Sequence, residues 1–231
     1  MTAFHIGFVI FPDMTQLDFT GPLQVLALVP GVKTHILAKS RAAVPTDCGL
    51  AMMPTLSFEE CPPLDMICVP GGSGVRDLLD DAVTVDFVRR QSATARFVTS
   101  VCTGAFVLGA AGLLKGRKAT THWAYTELLP LFGATHEKQR VVRDGPVITA
   151  GGVTSGIDFG LQIAAEIAGA DTAEAIQLVL EYDPAPPFES GHPDKASEAA
   201  RCLTLPRMEK SRASMKMRIE ALPGGNNEMR A

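Results

Sequence analysis

Short runs rich in Val and Ile recur along the first 150 residues, and most lead into a stretch with helical apolar spacing. "FHIGFVIF" (4–11) precedes "LDFTGPLQVLALV", and "KTHILAKS" follows. "DMICVPGG" precedes "SGVRDLLDD" and "AVTVDFVRRQSA", and "RFVTSV" runs directly into "CTGAFVLGAAG". Runs that are apolar throughout, with no alternation, are strands buried on both faces. Strands alternating with helices specify an α/β fold, a mainly parallel open sheet with helices on both faces. Further along, "RKATTHW" predicts a short strand and "AYTELLPLF" a helix. "QRVVRDGPVITA" predicts a hairpin turning at Asp144-Gly145, and "GGVTSGIDFGLQIAAEIAG" and "DTAEAIQLVLEY" predict two more helices.

This pattern defines one domain over residues 3–182. "DPAPPFESGHP" then interrupts regular structure, because proline removes donors and fixes φ. Residues 183–205 form an extension with one short helix in "DKASEAARCL", expected to lie against the domain or a dimer partner. Residues 206–231 are a basic tail without a clear core pattern, open to disorder. Residues 201–231 hold seven Lys/Arg against three Asp/Glu, while the whole chain carries −4. A short basic tail without interleaved aromatics on an acidic chain does not predict a nucleic-acid partner. The opening "MTAFHIGFVIFPD" lacks a basic leader, and no apolar run reaches membrane-spanning length. Five cysteines (48, 61, 68, 102, 202) without metal-type pair spacing predict free thiols in a cytoplasmic chain. No cluster has metal-ligand spacing, and the glycine pairs form neither GxGxxG nor a Walker loop, so neither a metal nor a nucleotide is expected.

In open α/β sheets the site lies outside the carboxyl ends of the strands. Four features fall at such ends: Asp18, Gly71-Gly72, Cys102 and Gly151-Gly152-Val153. Cys102 stands at a sharp strand-to-helix turn, in the manner of a nucleophile elbow. Helix N-terminal amides there would favour a thiolate. A buried structural thiol fits that position as well as a nucleophile does. The other four cysteines read as structural. Asp18, between Leu17 and Phe19, is either a helix cap or a desolvated acid/base. Thr103 is a candidate donor to substrate or to Asp18, and the glycines would let backbone amides approach a ligand. His122 in "TTHWAY" is a candidate partner for Cys102, with a structural histidine equally open. His5 and His35 lie in strands and read as core, and His192 falls in the Pro-rich stretch.

"VIFPDMTQLDFTGPLQVL", "VPGG", "TSVCTGAFVLGAAGLLKGRKATTHW" and "ITAGGVTSGIDFGL" together resemble the ThiJ/PfpI superfamily over about residues 4–182. The resemblance implies a flavodoxin-like sandwich akin to class I glutamine amidotransferases. Aspartate at position 18, "CTGA" at the elbow and "EYDPAPPFESGHPDKA" resemble its isocyanide-hydrating members. Those act as homodimers on a small-molecule isocyanide and need no cofactor. The resemblance implies Cys102 as nucleophile, Asp18 as general acid/base, and Thr103, Gly72, Gly151, Gly152 and Val153 lining the substrate. Glyoxalase- or deglycase-type members use glutamate and often histidine, and protease-type members place His after the nucleophile. Here Asp18 and Thr103 depart from both patterns. Ligand-sensing domains of AraC-type regulators carry about a hundred further residues, whereas 49 follow Tyr182.

Overall fold

The computed structural model describes residues 3–222. The elements run β1 (Phe4–Val9), α1 (Gln16–Leu26), β2 (Val32–Ala38), β3 (Val44–Pro45), β4 (Ala51–Met52), β5 (Leu56–Ser57) and β6 (Met66–Val69). Then come α2 (Val75–Leu78), α3 (Ala82–Ser92), β7 (Phe97–Val101), α4 (Ala105–Ala110), β8 (Lys118–Ala119), β9 (Thr135–His136), β10 (Val141–Asp144) and β11 (Val147–Ala150). The last three are α5 (Ser155–Ala168), α6 (Ala170–Val179) and α7 (Glu198–Glu220). Seven strands form one sheet in the order β10-β11-β7-β6-β1-β2-β5. Every pairing in it is parallel except β10 with β11, which is the expected hairpin at Asp144-Gly145.

The central strands have no solvent face. Every residue of β6, β7 and β11 is buried, so their continuous Val/Ile runs are what a doubly covered sheet requires. One helical layer holds α1, α5 and α6, and another holds α2, α3 and α4. Phe8 of β1 meets Phe19 of α1 edge-on at 5.6 Å, and Phe87 of α3 stacks on Phe58 at 4.1 Å. Phe19 is fully buried, so Phe19→Ala would cost about 3–5 kcal/mol. Between α1 and α5 the helices touch through glycines. A Cβ on Gly160 would lie 3.1 Å from Val25 Cβ, and one on Gly156 would lie 2.8 Å from Pro22 Cδ.

Parallel register levels the strand ends. Phe8 pairs with Cys68, Cys68 with Thr99, and Ile148 with Thr99. The chain segments leaving β1, β6, β7 and β11 therefore emerge along one edge of the sheet.

Some elements differ from those predicted. α2 covers only four residues of "SGVRDLLDD". "RKATTHW" contributes only Lys118–Ala119 to a strand pair with Thr135–His136. Trp123–Phe132 is a 3-10 helix containing Pro130, ended by Gly133 at φ 70. The small β3–β4 hairpin and β5 carry no run long enough to predict. The C-terminal segment needs a correction. The helix expected to end by Leu205 continues to Glu220 as part of α7, and Met215 and Ile219 are buried. Tyr125 and Ser211 hydroxyls meet at 2.7 Å, and Arg212 pairs with Glu127 at 2.9 Å, so this half of α7 lies on the 3-10 helix. Residues 223–231 of the predicted tail lie outside the described residues.

Candidate active site

Cys102 follows β7 directly and adopts φ 56, a left-handed conformation that a non-glycine residue rarely holds. Both sides of its peptide are pinned. Its N–H donates to Gly151 O at 2.8 Å, and Thr121 Oγ1 donates to its carbonyl at 2.7 Å. The turn closes only because small residues surround it. A Cβ on Gly104 would sit 2.1 Å from Val69 O, and one on Gly71 would sit 2.6 Å from Thr103 N and 2.8 Å from Cys102 Cβ. The "VPGG" and "CTGA" segments are therefore complementary surfaces of one contact.

Asp18 lies in the first turn of α1 and is fully buried. Gly71 N–H donates to its Oδ2 at 2.9 Å, while Oδ1 has no hydrogen-bond partner among the described residues. Burial raises its pKa from 3.8 to about 7, against the Gly71 bond and the neighbouring Cys102 thiol, which both lower it. Asp47 adds a small upward push. Its carboxylate accepts from Thr15 Oγ1 at 2.7 Å on the same rim. Thr103 is buried, and its Oγ1 accepts from Gly72 N–H at 3.1 Å.

The thiol departs from the expectation of a helix-stabilised thiolate. Burial first, and the facing Asp18 charge second, push Cys102 well above the ordinary thiol range; the Thr103 N–H and hydroxyl pull the other way. A desolvated thiol beside a desolvated carboxyl disfavours two negative charges, so the pair titrates as a unit. Burial holds the proton on the thiol and raises the carboxyl facing it, which sets a proton donor and a proton acceptor side by side.

The four predicted strand-end features do converge. Gly71 contacts Asp18 and Cys102, Gly72 contacts Thr103, and Gly151 holds the Cys102 amide. Gly152 lies against His122, whose Cδ2 would be 3.0 Å from a Cβ there. Val153 follows in the same loop and is half-buried. His122 is not joined to Cys102 by any hydrogen bond among the described residues. Its Nδ1 accepts from Ala124 N–H at 3.2 Å, and its ring sits between Trp123 and Tyr125. Burial lowers its pKa and so favours the neutral imidazole. His5 and His35 stack with their ring nitrogens 2.8 Å apart, and His35 is buried. Thr121 and Asp47 were not singled out from sequence. "ATTHW" shows only that polar residues follow β8, and Asp47 is one turn residue among many. Among the described residues no group of three or more His, Cys, Asp or Glu is placed to hold a metal. No helix there is long and apolar enough to cross a membrane.

Sheet, elbow and facing carboxyl define an open α/β protein that presents a strained thiol at the rim of a parallel sheet. The chain belongs to the DJ-1/PfpI family, whose model matches residues 5–166. It is similar to the isonitrile hydratase of Pseudomonas putida, with 54% identity over 218 residues covering 94% of each chain. A solved ThiJ/PfpI family protein from Pseudomonas syringae superposes with a TM-score of 0.92 at 40% identity, covering 95% of this chain and 91% of that one. The HTH-type transcriptional regulator GbdR of Pseudomonas aeruginosa is 25% identical over 189 residues, 77% of this chain but 50% of the regulator.

Proposed function

We propose that this protein adds water to an isocyanide, giving an N-substituted formamide through a covalent Cys102 thioimidate. The observation that carries the reading is the buried Cys102–Asp18 pair, in a chain 54% identical to an isonitrile hydratase over nearly its whole length. An isocyanide carbon needs a nucleophile and then a proton on that same carbon. As Cys102 Sγ bonds to that carbon, the Asp18 carboxylate takes the thiol proton and delivers it there, leaving Cys–S–CH=N–R. Asp18, again ionised, takes a proton from water as the water oxygen adds to the carbon. The nitrogen takes up that proton, and the C–S bond breaks. The sulfur recovers the proton of the new hydroxyl, and R–NH–CHO leaves. Thr103, Gly72, Gly151, Gly152 and Val153 line the reacting carbon, and the chemistry calls for no cofactor.

The protein acts as a cytoplasmic homodimer in this reading. Residues 183–205 and the exposed first half of α7 then lie between subunits, and a sedimentation mass of one 24.5 kDa chain would count against it. Purified protein with cyclohexyl or p-nitrophenyl isocyanide should yield the matching formamide, and Cys102→Ala should not. Methylglyoxal consumption without formamide would favour a glyoxalase. Ligand binding without turnover would favour a sensor, the reading that the regulator relative supports.

A further inference from the structure

The loop joining β11 to α5, residues 151–154, is gripped from both ends by one residue of β10's approach. Arg140 O accepts the Gly151 N–H at 2.9 Å, while Gly151 O in turn accepts the Cys102 N–H at 2.8 Å. The Arg140 guanidinium crosses to the other end of the loop. Its Nη2 donates to Thr154 Oγ1 at 3.1 Å, and its Nε donates to Asp158 Oδ2 in the first turn of α5. Thr154 occupies the N-cap position of α5 but makes no side-chain cap bond; its hydroxyl is engaged with Arg140 instead. Asp158 is held on its other oxygen by the Tyr182 hydroxyl at 2.6 Å. Tyr182 is fixed by its own backbone, which exchanges two 3.1 Å hydrogen bonds with Gln177.

We propose that Arg140, Asp158 and Tyr182 are positioning residues that set the 151–154 loop over Cys102. None of the three touches the thiol. Their side chains act at the α5 end of the loop, on Thr154 and Asp158, while the Gly151 end is held by the Arg140 backbone carbonyl, which Arg140→Ala keeps. A side-chain pair this open to solvent, with Arg140 52% and Asp158 29% exposed, adds little to global stability. Its effect should therefore appear in the site. A planar fork can serve Thr154 and Asp158 together, whereas a lysine ammonium is a single point on a flexible stem.

The inference rests on isocyanide hydration for its turnover readout only. In the full chain, Arg140→Ala, Arg140→Lys and Tyr182→Phe are compared for kcat and KM with cyclohexyl isocyanide, for the rate of Cys102 alkylation by iodoacetamide, and for Tm. Arg140→Ala should lower kcat by about tenfold or more, since a shift on the order of 1 Å can cost about 10²-fold. KM should stay within about threefold, alkylation should accelerate several-fold as the loop loosens, and Tm should barely move. Arg140→Lys should follow Ala, and Tyr182→Phe should move both rates less in the same direction. Wild-type kcat and alkylation in Arg140→Ala, full recovery in Arg140→Lys, or a kcat loss that merely tracks a fall in Tm would each overturn the assignment. If the wild type forms no formamide, hydration fails as a reading, and the alkylation rates alone decide the role of the fork.

Discussion

Cys68 and Cys102 are both buried free thiols, one on β6 and the other directly after the neighbouring β7. Cys68 sits inside β6, where burial, with a smaller push from the Asp18 charge and against a Thr99 hydrogen bond, raises its pKa to about 12. Cys102 stands just past the end of β7, where the backbone has turned to φ 56. Burial raises its pKa too, but a carboxyl with a pKa near 7 faces it. Desolvation inside a strand makes a thiol inert. In the proposed mechanism, desolvation beside a proton acceptor, on a turn that frees the side chain from the strand, makes a thiol that reacts by coupled proton transfer. The strand interior and the strand end thus give the same residue type different surroundings.

The largest test of that contrast is the pair Cys102→Ala and Cys68→Ala. The first should lower formamide production by about 10³-fold or more, as loss of a nucleophile does in other covalent enzymes. The second should leave kcat within a few-fold and cost about 1–2 kcal/mol of stability as a small buried cavity. Loss of turnover in Cys68→Ala, measured on folded protein, would break the comparison.

Asp18→Asn comes next. Removing a general acid/base should lower kcat about 10²–10⁴-fold, and the pH profile should lose the limb near 7 that Asp18 sets. Stability should move oppositely. A carboxyl whose folded pKa is raised from 3.8 to about 7 favours the fold below pH 4. That contribution is lost as pH rises toward 7, up to about 4 kcal/mol. Asp18→Asn should therefore raise Tm at pH 8 relative to wild type and change it least near pH 4. Thermal melts at the two pH values check the sign.

Gly71→Ala probes what holds strand end and elbow together. With Thr103 N only 2.6 Å from the new Cβ, overpacking should cost about 1–3 kcal/mol, and turnover per folded molecule should fall as Cys102 shifts. Chemical denaturation and kcat read the two effects separately. The smallest expected effect lies at the contact between α7 and the 3-10 helix. Tyr125→Phe removes the hydroxyl pair with Ser211 and should cost about 1 kcal/mol with unchanged kcat. A change in kcat there would tie α7 to the site.

Most of the sheet was legible because its strands are short runs rich in Val, Ile and Phe, set between turns. The rim was legible because parallel strands put every carboxyl end on one edge, and Asp18, Gly71-Gly72, Cys102 and Gly151–Val153 all follow such ends. The second half of α7 was not. Pro206 signals a break, yet the helix runs through it on a solvent-exposed stretch. Its core contacts, Met208, Met215 and Ile219, with Leu222 just past its end, are spaced seven, four and three residues apart among basic side chains. That spacing is helical, but too sparse to stand out. His122 shows the opposite limit. A histidine 20 residues from the thiol is an obvious partner on paper, and the fold uses its Nδ1 to cap a 3-10 helix instead.

By itself the sequence determined the order of strands and helices, the parallel sheet, and the edge on which the polar and small residues gather. Those depend on local periodicity and on turn chemistry, which neighbouring residues carry. Only the tertiary structure decided the protonation of the site and the company of each side chain. Asp18 acquires a pKa near 7 because α1, β6 and the elbow together strip it of water while one amide, from Gly71, reaches it. Desolvation and contact across 53 residues of chain are properties of packed surfaces, and no window of sequence contains both partners.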